Sequence, residues 1–411
     1  MISLDSRVRP LRAIRRVLDA CGGLLNLAGH AAVGTFLTNR LLMGTPEFLP
    51  KVALIGGHVI SWMLLGLGNS LLVGRRGGLL RAVLWPNTFG RAWTLLFTAL
   101  GARWVVQEVH RMKNPRPMPP EVMSSSALAV DLRDEMAAAE GSSQGGLRGL
   151  FERVNEIHNL EVLTYEVRLP RLPAEFDGFT VVQVSDVHHG PFSKDAFIRR
   201  YIDLCVEMDP DLVALTGDYQ TYSGDVERAI HLLSPLGEWS QREREGVGAV
   251  AIMGNHDREA GTEHVIDALE RAHIRVLENA NMFLERNGAR LYIAGVADPW
   301  SPHADLDLAL HGIPRGACTI LLAHLPDYFV ESAGDRVALQ LSGHNHGGQI
   351  KLPVLGAVLV SSRFGRRYVE GFFKRNGSLM YVSRGLGGKP PIRWGSKPEI
   401  TVLVLRGDRK T

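Results

Sequence analysis

Cysteine is nearly missing from this chain: Cys21, Cys205 and Cys318 are the 3 cysteines in 411 residues, far apart and with no CxxC pair. That spacing argues against a disulfide framework and against a thiolate zinc site. Charge of one sign is lacking as well. Lys and Arg number 46 against 43 Asp and Glu, a net +3, so no field on the scale of nucleic-acid binding exists and nucleic acid is not an expected partner. Glycine and proline are plentiful, at 44 and 21, but no repeating triplet or other internal repeat organises them. A collagen-like fibre is excluded. HExxH is absent, which removes the usual metalloprotease chemistry. With 45% hydrophobic and 22% charged residues, a largely disordered chain is excluded too. The length allows about two or three domains.

Long apolar runs, by contrast, crowd the N-terminal end. Residues 52–73 contain no Asp, Glu, Lys or Arg, and about 20 such residues suffice to cross a bilayer as a helix. Residues 20–39 form a second uncharged run, weakened by Asn26, His30 and several glycines. Residues 92–109 form a third, interrupted by Arg103. The pattern predicts a multi-pass membrane region of two or three spans over 1–111, with membrane lipids as partners; a buried helical pair in a soluble domain is the bland alternative. Arg7, Arg9, Arg12, Arg15 and Arg16 place the N-terminus in the cytoplasm, and Arg75, Arg76, Arg81 and Arg91 return the chain there. If the third run crosses, the C-terminal domain lies outside; the basic residues on both flanks of that run favour the cytoplasm. His30 and His58 read as hydrogen-bonded or headgroup-level residues rather than ligands.

Residues 112–158 hold PRPMPP, a serine triplet and EGSSQGG. They read as a flexible linker with one short helix over 131–139. From 159 to 411 the texture changes. Apolar runs with strand character cover 179–185, 212–216, 247–253, 318–323 and 337–342. Helical patterns cover 193–208, 225–236 and 262–272, the last opened by a Thr262 cap. This alternation predicts a layered α/β domain with covered sheets. Ligands of such folds gather beyond the carboxyl ends of strands.

Each of the five apolar runs stops at a polar signature. In order these are Asp186-Val187-His188, Gly217-Asp218, Gly254-Asn255-His256-Asp257, His324, and Gly343-His344-Asn345-His346-Gly347. Singly, the first four read as turns or a core-edge histidine. Five in succession, each following a buried strand, make a set. A pair of divalent cations needs a shared carboxylate, neutral imidazoles and open positions, and this set supplies them. Nitrogen and oxygen donors without thiolate suit Mn, Fe or Zn better than Ca or Mg.

In this order DVH, GD, GNHD, H and GHNHGGQ resemble the calcineurin-like metallophosphoesterase superfamily, with the strongest likeness to its membrane-anchored bacterial branch, over about residues 160–405. The resemblance implies a four-layer α/β/β/α sandwich preceded by transmembrane helices. It implies Asp186, His188, Asp218 and His346 around one metal, and Asp218, Asn255, His324 and His344 around another, with Asp218 shared. His256 would be the general acid or a transition-state hydrogen-bond donor near the leaving group. Two departures stand out. Phosphoprotein phosphatases of the superfamily carry GDxxDR, whose second Asp orients the catalytic histidine. Here Thr221 takes that Asp's place and no Arg follows, which leaves the pairing open and argues against a Ser/Thr protein phosphatase. His189 stands where many relatives have an apolar residue, and reads as a solvent-facing loop residue. Arg258 and Arg384 are phosphate clamps or structural ion pairs on charge alone. His231, His264, His273, His303 and His311 read as ordinary surface or boundary residues.

The expectation is therefore a membrane-anchored phosphoesterase with two divalent metal ions, hydrolysing a phosphodiester, pyrophosphate or phosphomonoester. The anchor and the branch together suggest a lipid-linked substrate. The alternative is a metal-binding scaffold or sensor without turnover.

Overall fold

The computed structural model describes residues 88–113, 116–140, 154–190, 193, 195–244, 248–353, 356–357, 360–389 and 391–407. The chain divides into two compact units, one of residues 1–117 with 351–365, the other of 118–350 with 366–411. The apolar runs 20–39 and 52–73 lie outside the described residues. The third run falls in α1 (Thr88–Lys113) of the first unit, where Arg91, Arg103, Gln107 and Glu108 break its apolar length. Among the described residues no helix is long and apolar enough to cross a membrane. The expected multi-pass membrane placement, with the membrane side deduced from it, is corrected accordingly.

The second unit contains two mixed sheets. The larger has seven strands: β1 (Val122–Asp131), β2 (Asn159–Arg168), β3 (Thr180–Val184), β4 (Leu212–Leu215), β5 (Ala249–Ala251), β6 (Arg275–Val276) and β15 (Glu399–Arg406), in the order β1-β2-β15-β3-β4-β5-β6. The smaller has six: β7 (Ala280–Arg286), β8 (Ala289–Gly295), β9 (Thr319–Leu322), β10 (Leu339–Ser342), β13 (Gly371–Arg375) and β14 (Ser378–Val382), in the order β13-β14-β10-β9-β8-β7. The hairpin β11 (Lys351–Leu352) with β12 (Gly356–Ala357) belongs to the first unit. β3, β4, β5 and β6 run parallel, as do β8, β9, β10 and β14. Parallel strands end on a common edge, so the loops after them are brought together.

Strand alternation decides which side chains meet. In β3, Val181 packs with Leu212, Val250, Ile320, Leu322 and Leu341 in a core shared by the two sheets. Val182 and Val184 point the other way, into a core formed with the helices α3 (Asp195–Glu207), α4 (Val226–Glu243) and α5 (Asn255–Arg271). Every one of these strand residues is fully buried. Burying a Val or Leu side chain contributes about 1.5–3 kcal/mol relative to exposing it. The outer side of the smaller sheet carries shorter helices, α6 (Leu306–Ala309) and α7 (Phe329–Ser332), over two lesser apolar clusters. The α/β class is thus present, with sheets back to back and helices outside them.

Several local expectations shift. Within the stretch read as a flexible linker, Val122–Asp131 is a ten-residue strand paired antiparallel with β2. Its Ser-rich, mostly exposed sequence lacks the apolar alternation that marks a half-buried strand. The short helix expected beside it forms as α2 (Arg133–Glu140). Helix α5 begins at Asn255, well before Thr262, because the Asp257 carboxylate accepts the Gly254 N–H at 2.8 Å and closes the first turn. Gly261, at φ 108°, then breaks the helix, so Thr262 opens only its second segment.

Candidate metal centre

Asp186 and His188 follow β3, Asp218 follows β4, and Asn255 and His256 open α5 after β5. His324 follows β9, and His344 and His346 follow β10. The structure brings these residues to one place. Three overlapping groups each hold ligand atoms within 4.8 Å of one another: Asp186, His188 and His346; His188, Asp218 and His256; Asp218, His324 and His344. Asp218 belongs to two of them. Its Oδ2 lies 3.2 Å from His324 Nε2 and 3.6 Å from His188 Nε2, and its Oδ1 accepts the His256 N–H at 2.9 Å. His346 Nε2 lies 3.5 Å from Asp186 Oδ1 and 3.1 Å from His188 Nε2. His344 Nδ1 lies 3.2 Å from His324 Nε2, and the Trp300 ring stands edge-on to His344 at 4.9 Å.

The backbone is bent to achieve this. Asp186, His188, Asp218, His344 and His346 all sit at φ between 50° and 69°. Left-handed conformations cost a non-glycine residue of order 1–3 kcal/mol and persist where the surroundings over-determine them. Close approach of the chains adds a steric demand. A Cβ on Gly343 would lie 1.9 Å from Ser185 Oγ and 2.2 Å from Asp186 Oδ2, and one on Gly254 would lie 2.2 Å from Asp218 Oδ1. Only glycine fits there.

Hydrogen bonds then fix the donors. The Asp257 carboxylate accepts from the backbone N–H of Asp218 (2.6 Å), Tyr219 (2.9 Å) and Gly254 (2.8 Å), tying the loops after β4 and β5 together. Asp186 accepts the His344 N–H at 3.0 Å, a link from the larger sheet to the smaller. His324 Nδ1 donates to the Thr216 carbonyl at 2.7 Å, which leaves Nε2 as the ring atom facing Asp218. Arg393, wholly buried, donates to the carbonyls of Arg384 (2.7 Å), Gly387 (2.8 Å) and Ser396 (3.1 Å), while Ser396 Oγ donates to the His346 carbonyl (2.9 Å). Burial pushes the Arg393 guanidinium down to about 10.

Electrostatics matches the donor set to a cation. Burial raises the Asp186 carboxyl to about 6, with the neighbouring Asp218 charge adding to the effect. Burial holds the His188 and His346 imidazoles well below their ordinary value, so both rings are neutral with lone pairs available. Burial opposes protonation of His324 too, but the Asp218 and Asp186 carboxylates outweigh it and push the ring to about 10. The two buried carboxylates demand positive charge, which the raised His324 value records. Asn255, only 5% exposed, adds a buried Oδ1 with no hydrogen-bond partner. An orphaned amide oxygen next to this cluster, with nitrogen and oxygen donors throughout, fits divalent transition metals.

Other expectations resolve differently. His189 is not solvent-facing: it is buried, and its Nε2 lies 2.9 Å from Asp195 Oδ1, in turn bonded to Arg228. Arg384 pairs with Glu399 and Glu161, and Arg258 lies 2.9 Å from Asp298, so both are engaged in structural ion pairs. Thr221 Oγ1 lies 3.4 Å from His188 Nδ1 and donates to the His188 carbonyl at 3.1 Å, so it serves His188. His231, His264, His273, His303 and His311 are exposed. Sequence reasoning gave no role to Asp257, Gln220 or Arg393. Asp257 carried a usable signal, as the last residue of GNHD and the helix's third, where a carboxylate caps a first turn.

Residues 179–348 match the family model described as calcineurin-like phosphoesterase. The chain is 32% identical over 279 residues to the uncharacterized metallophosphoesterase YkuE of Bacillus subtilis, covering 66% of this chain and 93% of the relative. It is 31% identical over 233 residues to phosphodiesterase YaeI of Escherichia coli, covering 55% and 82%. It is 26% identical over 297 residues to UDP-2,3-diacylglucosamine pyrophosphatase LpxG of Chlamydia muridarum, covering 59% and 88%.

Proposed function

Because the chain belongs to the calcineurin-like metallophosphoesterases, hydrolases of phosphoester bonds, we propose that it uses two divalent cations to cleave a phosphodiester or pyrophosphate. Asp186, His188, Asp218 and His346 would hold one cation, and Asp218, Asn255, His324 and His344 the other. The observation that carries this reading is the run of His/Asp groups linked to one another at His188 and at Asp218. Mn, Fe or Zn suit such a nitrogen and oxygen set. Bound there, the cations supply Lewis-acid polarisation of phosphoryl oxygens and lower the pKa of water.

The chain's own groups do the rest. Asp218 presents one oxygen to His324 and His188 while its other is held by the His256 N–H, so its carboxylate has one fixed orientation. Neutral His188 and His346 offer lone pairs without bringing competing charge. His256 has 15% of its side chain exposed, about as much as His346 (14%), and its ring lies 5.1 Å from that of His188. That position suits proton delivery to a leaving oxygen at the rim of the site. Thr221, directed at His188, supports the reading against a Ser/Thr protein phosphatase.

For the substrate, the likeness to LpxG favours a pyrophosphate joining a nucleoside to an acylated sugar. The test is a screen of the metal-replete chain against phosphomonoesters, phosphodiesters, soluble nucleotide pyrophosphates and acylated UDP-sugars, with a chelated control. Chelator-sensitive hydrolysis of diesters and pyrophosphates is expected, fastest on the acylated UDP-sugar. Bound metal without hydrolysis of any ester would overturn the enzymatic reading in favour of a scaffold. Rapid turnover of soluble nucleotides with acylated sugars untouched would overturn only the substrate.

A further inference from the structure

Thr221 leaves His256 without the carboxylate that orients the corresponding histidine of phosphoprotein phosphatases. The structure places a different one beside it. Glu259 Oε2 lies 3.3 Å from His256 Nδ1, one turn further along α5. We propose that Glu259 is the positioning residue for His256, fixing its ring so that Nε2 carries the proton to the leaving oxygen. This rests on the reading of His256 as the proton donor.

The argument begins with the helix. Because α5 starts at Asn255, residues 256 and 259 are three apart in its first turn and share a face. The main chain of His256 is pinned on both sides: its N–H donates to Asp218 Oδ1 at 2.9 Å, and its carbonyl accepts from Gln220 Nε2 at 2.7 Å. With the main chain held, the ring can still turn about its own bonds, and a carboxylate at Nδ1 restricts that rotation. The 3.3 Å approach is an ion-pair contact rather than an aligned hydrogen bond; a carboxylate on that side of the ring favours hydrogen at Nδ1 and leaves Nε2 for the leaving oxygen. The side chains of His256 and Glu259 are 15% and 24% exposed, so the pair is shielded from full solvent screening. The carboxylate has moved from the loop after β4 to the helix that carries the histidine. In a structural reading, Glu259 would merely complement the positive end of α5.

Leaving-group dependence separates the two. The metal-replete full chain would be assayed on p-nitrophenyl and unsubstituted phenyl phosphodiesters, whose leaving groups differ in their need for a proton. His256→Ala, Glu259→Ala, Glu259→Gln and the His256→Ala/Glu259→Ala double variant would be compared, with melting temperature and bound metal measured for each. Glu259→Ala is expected to lower kcat by about 10–100-fold, the scale for losing a histidine-orienting partner. The loss should be larger on the phenyl ester, with KM, bound metal and melting temperature unchanged. Glu259→Gln, which keeps an acceptor at Nδ1, should recover part of the rate, and the double variant should be no slower than His256→Ala. Equal losses on both esters for Glu259→Ala, or losses that multiply in the double variant, would overturn the positioning role while leaving His256 as donor. Equal losses on both esters for His256→Ala would overturn the donor reading and this one with it.

Discussion

The two sheets meet at one rim but bring different chemistry to it. The larger sheet delivers both carboxylates, Asp186 and Asp218, with His188 and the residues Asn255 and His256 at the start of α5. The smaller delivers imidazoles alone: His324, His344 and His346. Neither set assembles the proposed pair of cation sites by itself. The carboxylate side concentrates negative charge that only the opposite sheet, or a cation, can answer. His324 facing Asp218 at 3.2 Å and the His344 N–H on Asp186 at 3.0 Å are the seams between them. The centre is therefore a product of how the sheets pack, and their shared core governs it as directly as the ligands do.

Substitutions that force the two sets apart should have the largest effect. Gly343 lies where the loop after β10 crosses Ser185 and Asp186. Gly343→Ala should cost about 1–3 kcal/mol in overpacking and lower phosphoesterase activity by roughly 100-fold, the scale for an ångström of misplacement in a reacting site. Melting and steady-state kinetics of the variant would measure both; unchanged activity would show that the rim tolerates a shift. A paired substitution sharpens the comparison. Leu322 lies in the core between the sheets and Leu233 in the core between the larger sheet and its helices, both fully buried. Each change to Ala should cost about 2–5 kcal/mol. Leu322→Ala should also weaken metal affinity in the folded protein, whereas Leu233→Ala should not. Denaturant titration with metal-binding isotherms below the unfolding range would decide it. The smallest effect belongs to the far edge of the larger sheet. Leu128 of β1 is 63% exposed, so Leu128→Ser should change stability by no more than about 0.5 kcal/mol and leave activity alone.

The same contrast explains what could be read from the sequence. β3, β4, β5, β9 and β10 are legible because parallel strands buried on both faces are continuous apolar runs, and each ends abruptly at a polar loop. The candidate ligands were legible because they follow those ends. β1 was hidden, since a largely exposed edge strand with a serine triplet has neither an apolar run nor alternation. The hairpins β7–β8 and β13–β14 carried an overlooked signal: Asn287-Gly288 and Asn376-Gly377 form their turns, all four residues at positive φ. Partners joined only through space left no local trace: Asp257 shows in the sequence as a helix cap, but its hold on the Asp218 and Tyr219 N–H groups joins loops after different strands, and Ser396 reaches the His346 carbonyl from the loop after β14. The third apolar run, read as interrupted by Arg103 and left open between spanning and interfacial, is decided by its charges. Its hydrophobic residues share a helix with Arg103 and Glu108, and composition without continuity does not make a span.

Sharing of Asp218 between two cations is the central claim, and metal content tests it most directly. Elemental analysis of the purified metal-replete chain and of Asp218→Asn, with circular dichroism to confirm folding, should give about two divalent ions per wild-type chain and loss of both from the folded variant. A folded Asp218→Asn variant that still binds both ions would contradict it.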